Sequence, residues 1–293
     1  MIFRTRFAPS PTGPLHLGHA YSALLAHDMA RDNGGEFLLR IEDIDRSRAR
    51  DEWETLIYED LHWLGINWPK PVLRQSDRLP AYQECLEALW ERGALFPCSC
   101  RRRDIEAAVA APQEGAAPVT GPDGTVYPGT CRPAQVSPRS PMPKQALRLR
   151  MEEVAQALLA EAGSKTFHFI ETGCGPNGET GEISFGLPEL VRSIGDIVLS
   201  RRDMGTSYHL SVVLDDATQR VSHVVRGQDL FEATKIHVVL QKMLNLPTPI
   251  YHHHRLIRDE KGKRLAKRDD ARAIRKYRED GLTAAEIRAM VGL

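Results

Sequence analysis

Between Arg6 and Ala20 the chain reads RFAPSPTGPLHLGHA, three prolines and two glycines that leave few ways to fold. Proline fixes φ and has no N–H, so the strand that residues 2–8 fit cannot continue through this stretch. It is a rigid turn. The spacing then predicts a helix over 16–32, with Leu17, Tyr21, Leu24 and Asp28 along a largely apolar face, stopped by Gly34 and Gly35. EFLLRIED at 36–43 has strand composition. Strand, turn, helix and strand make a βαβ unit with a crossover of the right length for parallel strands, which points to an α/β fold.

Helical patterns follow at 48–64 and 79–93, and near residue 96 the composition changes. Nine prolines and three of the five cysteines fall between Pro97 and Pro143, with little periodicity. Such a stretch reads as an irregular insertion needing its own staple. Regular structure resumes with ALRLRM at 146–151, then SIGDIVLS (193–200), YHLSVVLDD (208–216) and RVSHVVRGQDL (220–230). These runs have the Val and Ile content of buried strands, and a helix over 231–244 follows. The expected organisation is a nucleotide-binding sheet in two halves, 1–95 and 191–255, split by an insertion over 96–190. A short helical segment over 256–293 closes it, and no internal repeat is present.

At 293 residues and 42% hydrophobic, the chain can bury a core without disulfides. Five cysteines, an opening MIFRTRFAP that reads as strand rather than leader, and no apolar run near the roughly 20 residues of a span suggest a soluble cytoplasmic protein, expected as a monomer. Overall charge is balanced, with 39 basic and 39 acidic residues. Locally it is not. Eleven basic residues face four acidic ones between Arg255 and Arg278, which suits a solvated helical face or a polyanion such as nucleotide phosphate or RNA backbone.

A strand entering a helix through a glycine-bearing turn gathers backbone N–H groups and the positive helix end at one point, favouring an anion. Neither GxGxxG nor a P-loop occupies this turn. Instead His16, Gly18 and His19 open the helix. The histidines share one side of its first turn, and Gly18 lets a ligand ring approach the backbone. Far along the chain stands the basic loop Lys263-Arg264-Leu265-Ala266-Lys267-Arg268. This pair of motifs resembles the two signatures of the class I aminoacyl-tRNA synthetases. Arg6 to Gly13, Arg40-Ile41-Glu42-Asp43-Ile44-Asp45, Tyr208 and Val225-Arg226-Gly227-Gln228-Asp229-Leu230 are similar to that class's glutamyl branch.

The resemblance implies a Rossmann-like nucleotide-binding domain. It also implies ATP, taken with Mg²⁺, bound by His16, Gly18, His19 and Lys267. Histidines would meet the α-phosphate region and Lys267 the leaving pyrophosphate as charge builds there. Glutamate is expected among Arg6, Phe7, Ala8, Pro9, Ser10, Glu42, Tyr208 and Arg226. A dicarboxylic zwitterion needs two cations and an anion, and Arg6, Arg226 and Glu42 supply them. Which arginine takes the side-chain carboxylate stays open. Ala266 stands where the family usually has serine, so slower adenylate formation is expected.

On spacing alone, Cys98, Cys100 and Cys131 are one ligand short of tetrahedral zinc, and free buried cysteines fit equally well. The resemblance supplies Tyr127, four residues before the last cysteine, as the fourth ligand of one structural zinc ion. Some 25 residues follow Arg268, short for an anticodon-reading portion. Short-chain members of the glutamyl branch place glutamate on the queuosine at the wobble position of tRNA(Asp), and that is the expected partner. A truncated enzyme charging tRNA(Glu), a cofactor-building nucleotidyltransferase and an inactive RNA-binding paralogue are the other readings.

Overall fold

The computed structural model describes residues 2–110, 119–133, 140–258 and 272–293. β1 (Arg4–Phe7) runs through the proline turn into α1 (Leu17–Asp32), and β2 (Glu36–Ile41) returns parallel to β1, with Arg6 opposite Leu38. After α2 (Asp51–Trp63), β3 (Leu73–Arg74) joins β2 in parallel and α3 (Leu79–Glu91) packs beyond it. Next come β4 (Leu95–Cys98), α4 (Arg102–Ala110), the short strands β5 (Thr120–Gly121) and β6 (Gly124–Thr125), and β7 (Ala146–Leu149), antiparallel to β4. α5 (Met151–Glu161), β8 (Thr166–Glu171), β9 (Gly181–Gly186), α6 (Leu187–Glu189) and β10 (Val198–Ser200) lead to α7 (Tyr208–Thr218) and β11 (His223–Gly227). α8 (Ala233–Met243), β12 (Ile250–His254), α9 (Ile274–Glu279) and α10 (Ala284–Val291) complete the described elements.

β11, β12 and β8 are parallel, with β9 antiparallel on β8. β11 lies beside β1, where the Ser222 N–H donates to the Arg4 carbonyl at 3.0 Å. Strands from both ends of the chain therefore meet at β1 and β11. β8 and β9 fall within residues 96–190 and yet extend this sheet, whereas β4 and β7 form a separate antiparallel sheet with β10. One core packs α1 on the sheet through Leu15, Ala20, Leu24 and Ile41, closed by Ile274 and Ile287. The other joins Leu86, Leu149, Phe169, Leu210 and Ile236 on the opposite side.

Two expected strands need correction. YHLSVVLDD is the helix α7: Ser207 caps it, its hydroxyl accepting the Leu210 N–H at 3.4 Å, and seven of its residues are buried. A helix enclosed on most sides shows no polar stripe, so its Val and Leu content imitates a strand. In SIGDIVLS only Val198–Ser200 is strand, because residues Leu190–Ile194 form a π-helical turn ended by Gly195 at φ 68°.

Asp60 on α2 is fully buried, and its carboxylate oxygens have no hydrogen-bond partner. Burial pushes its pKa up to about 7, although Arg278 of α9, with Nη1 3.8 Å away, pulls it down. A carboxyl raised in the fold favours folding most below its unfolded pKa of about 4, and that advantage is lost as pH rises through 7. Asp60→Asn is thus expected to gain on the order of 1–3 kcal/mol over wild type at pH 8 and little at pH 5, read by urea unfolding. An equal gain at both pH values would clear Asp60 of this role.

Candidate active site

The proline turn is stitched to the carboxyl end of β2. The Ser10 hydroxyl donates to the Glu42 carbonyl at 2.8 Å, and the Glu42 N–H donates to the Pro9 carbonyl at 3.0 Å. A cavity of about 270 Å³ opens here, lined in part by Ser10, Glu42, Gln75, Ser207, Tyr208 and His209. Ligands of open α/β sheets sit beyond the carboxyl ends of strands, as this cavity does. Phe7 buries its ring in the α1-side core, so what it offers a ligand is backbone. Pro9 is buried beside it and Ala8 half-buried.

Three buried guanidinium groups gather beneath the cavity, and they are not equivalent. Arg6 donates from Nε and Nη2 to Asp216 at 3.0 and 3.3 Å, and Arg40 Nη1 reaches the same carboxylate at 2.7 Å. Burial raises the Asp216 pKa, yet Arg6 and Arg40 together hold it below the usual range. Arg40 Nη2 also donates to Glu42 at 3.2 Å. Burial nonetheless leaves Glu42 raised, the pull of Arg40 and Arg6 being the weaker influence.

Arg226 differs. Its Nε donates to His253 at 3.0 Å, Nη1 to His237 at 3.1 Å, and Nη2 to the Leu230 carbonyl and Thr234 hydroxyl at 3.2 and 2.6 Å. None of these partners is a carboxylate. A buried cation with uncharged contacts is short of an anion. Tyr208 stands at the cavity wall, edge-on to His237 with ring centroids 5.7 Å apart. Burial raises its pKa, against the pull of Arg226.

His16 is the N-cap of α1. Its Nδ1 accepts the Gly18 N–H at 3.1 Å, and His19 Nδ1 accepts the His16 N–H at 3.2 Å, stacking the rings at 3.8 Å. With both Nδ1 atoms accepting, a neutral ring carries its proton on Nε2 and presents a donor there. Gly18 suits this fold-back, because a Cβ would stand 3.0 Å from His16 Cε1 and press the ring aside. Both flanks of the 259–271 stretch are pinned to α1. Ile274 N–H donates to the Leu15 carbonyl at 2.8 Å next to an Ala273–His16 bridge, and His254 Nε2 lies 2.5 Å from the Ser22 hydroxyl. Lys267, with the rest of its basic loop, lies outside the described residues.

Cys98, Cys100 and Cys131 converge, their Sγ atoms within 4.8 Å of one another, a group able to hold a metal ion. Tyr127 Oη stands 3.6 Å from Cys98 Sγ and 3.8 Å from Cys100 Sγ, and accepts the Cys131 N–H at 2.6 Å. Bonds of about 2.3 Å in a tetrahedral set put ligand atoms roughly 3.8 Å apart, so the donor set suits zinc in type and spacing.

Sequence reasoning passed over Arg40, Asp216, His237, His253 and Glu171. A signal existed in VVLDD, where two acids interrupt an apolar run, and in the histidine inside TKIHVVL. Charged groups in such settings are paired in the fold.

A sheet meeting at β1 and β11, a histidine-capped helix and a cavity backed by buried arginines have the architecture of a nucleotide-binding synthetase. Residues 2–123 and 179–293 match the family of class I tRNA synthetases (E and Q), catalytic domain, and the chain belongs to it. Among curated relatives, it is 61% identical over 291 residues to the glutamyl-Q tRNA(Asp) synthetase of Rhodobacter capsulatus, covering 99% of each chain. The glutamyl-Q tRNA(Asp) synthetase of Deinococcus radiodurans is 40% identical over 96% of this chain and 85% of its own. A solved glutamate tRNA ligase from Elizabethkingia meningosepticum, in complex with its amino acid, superposes with a TM-score of 0.65 at 26% identity. This chain spans 54% of that ligase, which in turn covers 96% of this chain.

Proposed function

We propose that this chain activates glutamate with ATP, without tRNA, and transfers the glutamyl group to the queuosine at the wobble position of tRNA(Asp). Relatives that match it over 99% and 96% of its length carry the name of that activity. The geometric observation carrying it is Arg226, a buried guanidinium with uncharged contacts beside a cavity whose wall includes Glu42. A carboxylate of glutamate supplies the missing anion, and Glu42 meets the ammonium group. Arg6, already shared with Asp216, adds positive potential beneath, and Ser10 and Tyr208 supply polar wall.

His16 and His19 donate from Nε2 toward the α-phosphate region of ATP, over the helix end that favours anions. The substrate carboxylate attacks the α-phosphorus, the bond to pyrophosphate breaks, and Lys267 meets the charge that leaves. Residues 1–95 and 191–255 supply the two halves around this site, with β8 and β9 extending the sheet from the intervening stretch that also carries the cysteines. The 255–278 segment follows RNA backbone while a splayed loop base enters the site, as single-stranded recognition allows.

Cys98, Cys100, Cys131 and Tyr127 hold a zinc ion, which supplies structural cross-linking when bound. The local core is small, Phe96, Cys98 and Tyr127 being its buried members, so the metal does much of the holding. Chelation is expected to release one zinc per chain and lower the melting temperature by on the order of 5 °C or more. A metal-free preparation with unchanged melting would reject the site.

The decisive measurement is glutamate-dependent ATP–pyrophosphate exchange without RNA, followed by transfer of labelled glutamate to tRNA(Asp) with and without queuosine. Exchange plus queuosine-dependent transfer is the expected result. Charging of tRNA(Glu) instead, or no exchange, would overturn the reading.

A further inference from the structure

Behind Arg226 lies a buried chain of side chains that runs from Glu171 to the cavity wall at His209. Glu171 closes β8 and is 1% exposed. Its Oε2 lies 2.5 Å from His253 Nδ1, while its Oε1 accepts the His253 and Gly173 backbone N–H groups at 2.8 and 2.7 Å. A carboxylate in that position makes Nδ1 the donor, so His253 Nε2 keeps the lone pair that accepts from Arg226 Nε. On the other side, His237 Nδ1 accepts from Arg226 Nη1, which leaves His237 Nε2 to donate to His209 Nδ1 at 3.1 Å. His209 Nε2 ends the chain 3.5 Å from Asp123, a residue of the cavity wall.

We infer that Glu171, His253 and His237 are positioning residues for amino-acid activation, holding the Arg226 fork through two imidazole acceptors locked in opposite tautomers. The inference rests on the reading of Arg226 as a glutamate ligand. Its physical advantage is that the arginine is fixed without being neutralised. A carboxylate in direct contact, as Asp216 is for Arg6, would compete with the substrate for the same charge; an imidazole lone pair orients the fork and leaves the charge available. Neutral rings are what the site enforces. Burial takes His253 down to about 4 despite Glu171, and burial, with Arg226 next, holds His237 well below its ordinary value. The role of Glu171 is to select the tautomer, since a ring presenting Nε2–H would face Arg226 donor to donor.

Two substitutions at one position separate positioning from packing. In His253→Gln the side-chain oxygen reaches the former Nε2 position and still accepts from Arg226. In His253→Asn the amide reaches Glu171 and leaves Arg226 Nε without an acceptor. Pyrophosphate-exchange kinetics are expected to show the Asn variant with a glutamate KM raised about 10- to 100-fold, an ATP KM within about threefold, and the Gln variant recovering most of the loss. Equal glutamate KM values in the two variants, or parallel rises in both KM values, would overturn the inference. If the Asn variant does not fold, Glu171→Gln decides. Its amide both donates and accepts, so the His253 tautomer is released. A several-fold rise in glutamate KM with unchanged ATP KM supports the inference, and an unchanged glutamate KM refutes it. Arg226→Lys measured alongside isolates the underlying reading: an unaltered glutamate KM there removes Arg226 as ligand whatever the His253 variants do.

Discussion

Replacing Arg226 with lysine is expected to raise the KM for glutamate by about 100-fold or more, with the ATP KM little changed. The guanidinium spends donors on His253, His237, Leu230 and Thr234 while keeping its charge for a guest. An ammonium group has three donors on a flexible stem and cannot span His253 and His237, on β12 and α8, as a planar fork does. Losing about 2.7 kcal/mol of substrate binding corresponds to that 100-fold. Exchange kinetics with glutamate varied at saturating ATP measure it, and a KM within threefold of wild type would remove Arg226 from the substrate site.

Asp216→Ala is the second large effect, and it falls on stability. Arg6 is 5% exposed and Arg40 fully buried, and both lean on this one carboxylate. Removing it leaves Arg6 without a carboxylate and Arg40 with Glu42 as its remaining acid partner, for which a loss of about 3–5 kcal/mol is expected from urea unfolding. The pH dependence has a definite sign. Asp216 is held below its ordinary value, so its contribution is present above the unfolded pKa and lost as pH falls through the folded one. Wild type should therefore lose stability toward acid more steeply than the variant, and parallel pH curves would show that Asp216 is not the anchor.

Local rules made much of the fold legible. The proline turn, the glycine pair at 34 and 35 and strand-like residues on either side already dictate parallel β1 and β2. The cysteine cluster and Tyr127 were legible through spacing and resemblance together. α7 was misread for a physical reason: enclosure erased the polar face by which a helix announces itself. Arg40 entered only as part of the RIEDID resemblance, with no role of its own, although it is the largest fully buried side chain among the described residues.

Sequence alone determined the residue types at the proposed site and the order in which they arrive: an arginine in β1, histidines at the start of α1, an acid after β2, an arginine near the end of β11. Tertiary structure decided which arginine retains an available charge. That depends on partners far away in the chain, Asp216 for Arg6 and the His253–Glu171 pair for Arg226. Local periodicity cannot encode such a choice, because the strength of a buried charge is set by what packs around it rather than by its neighbours along the chain.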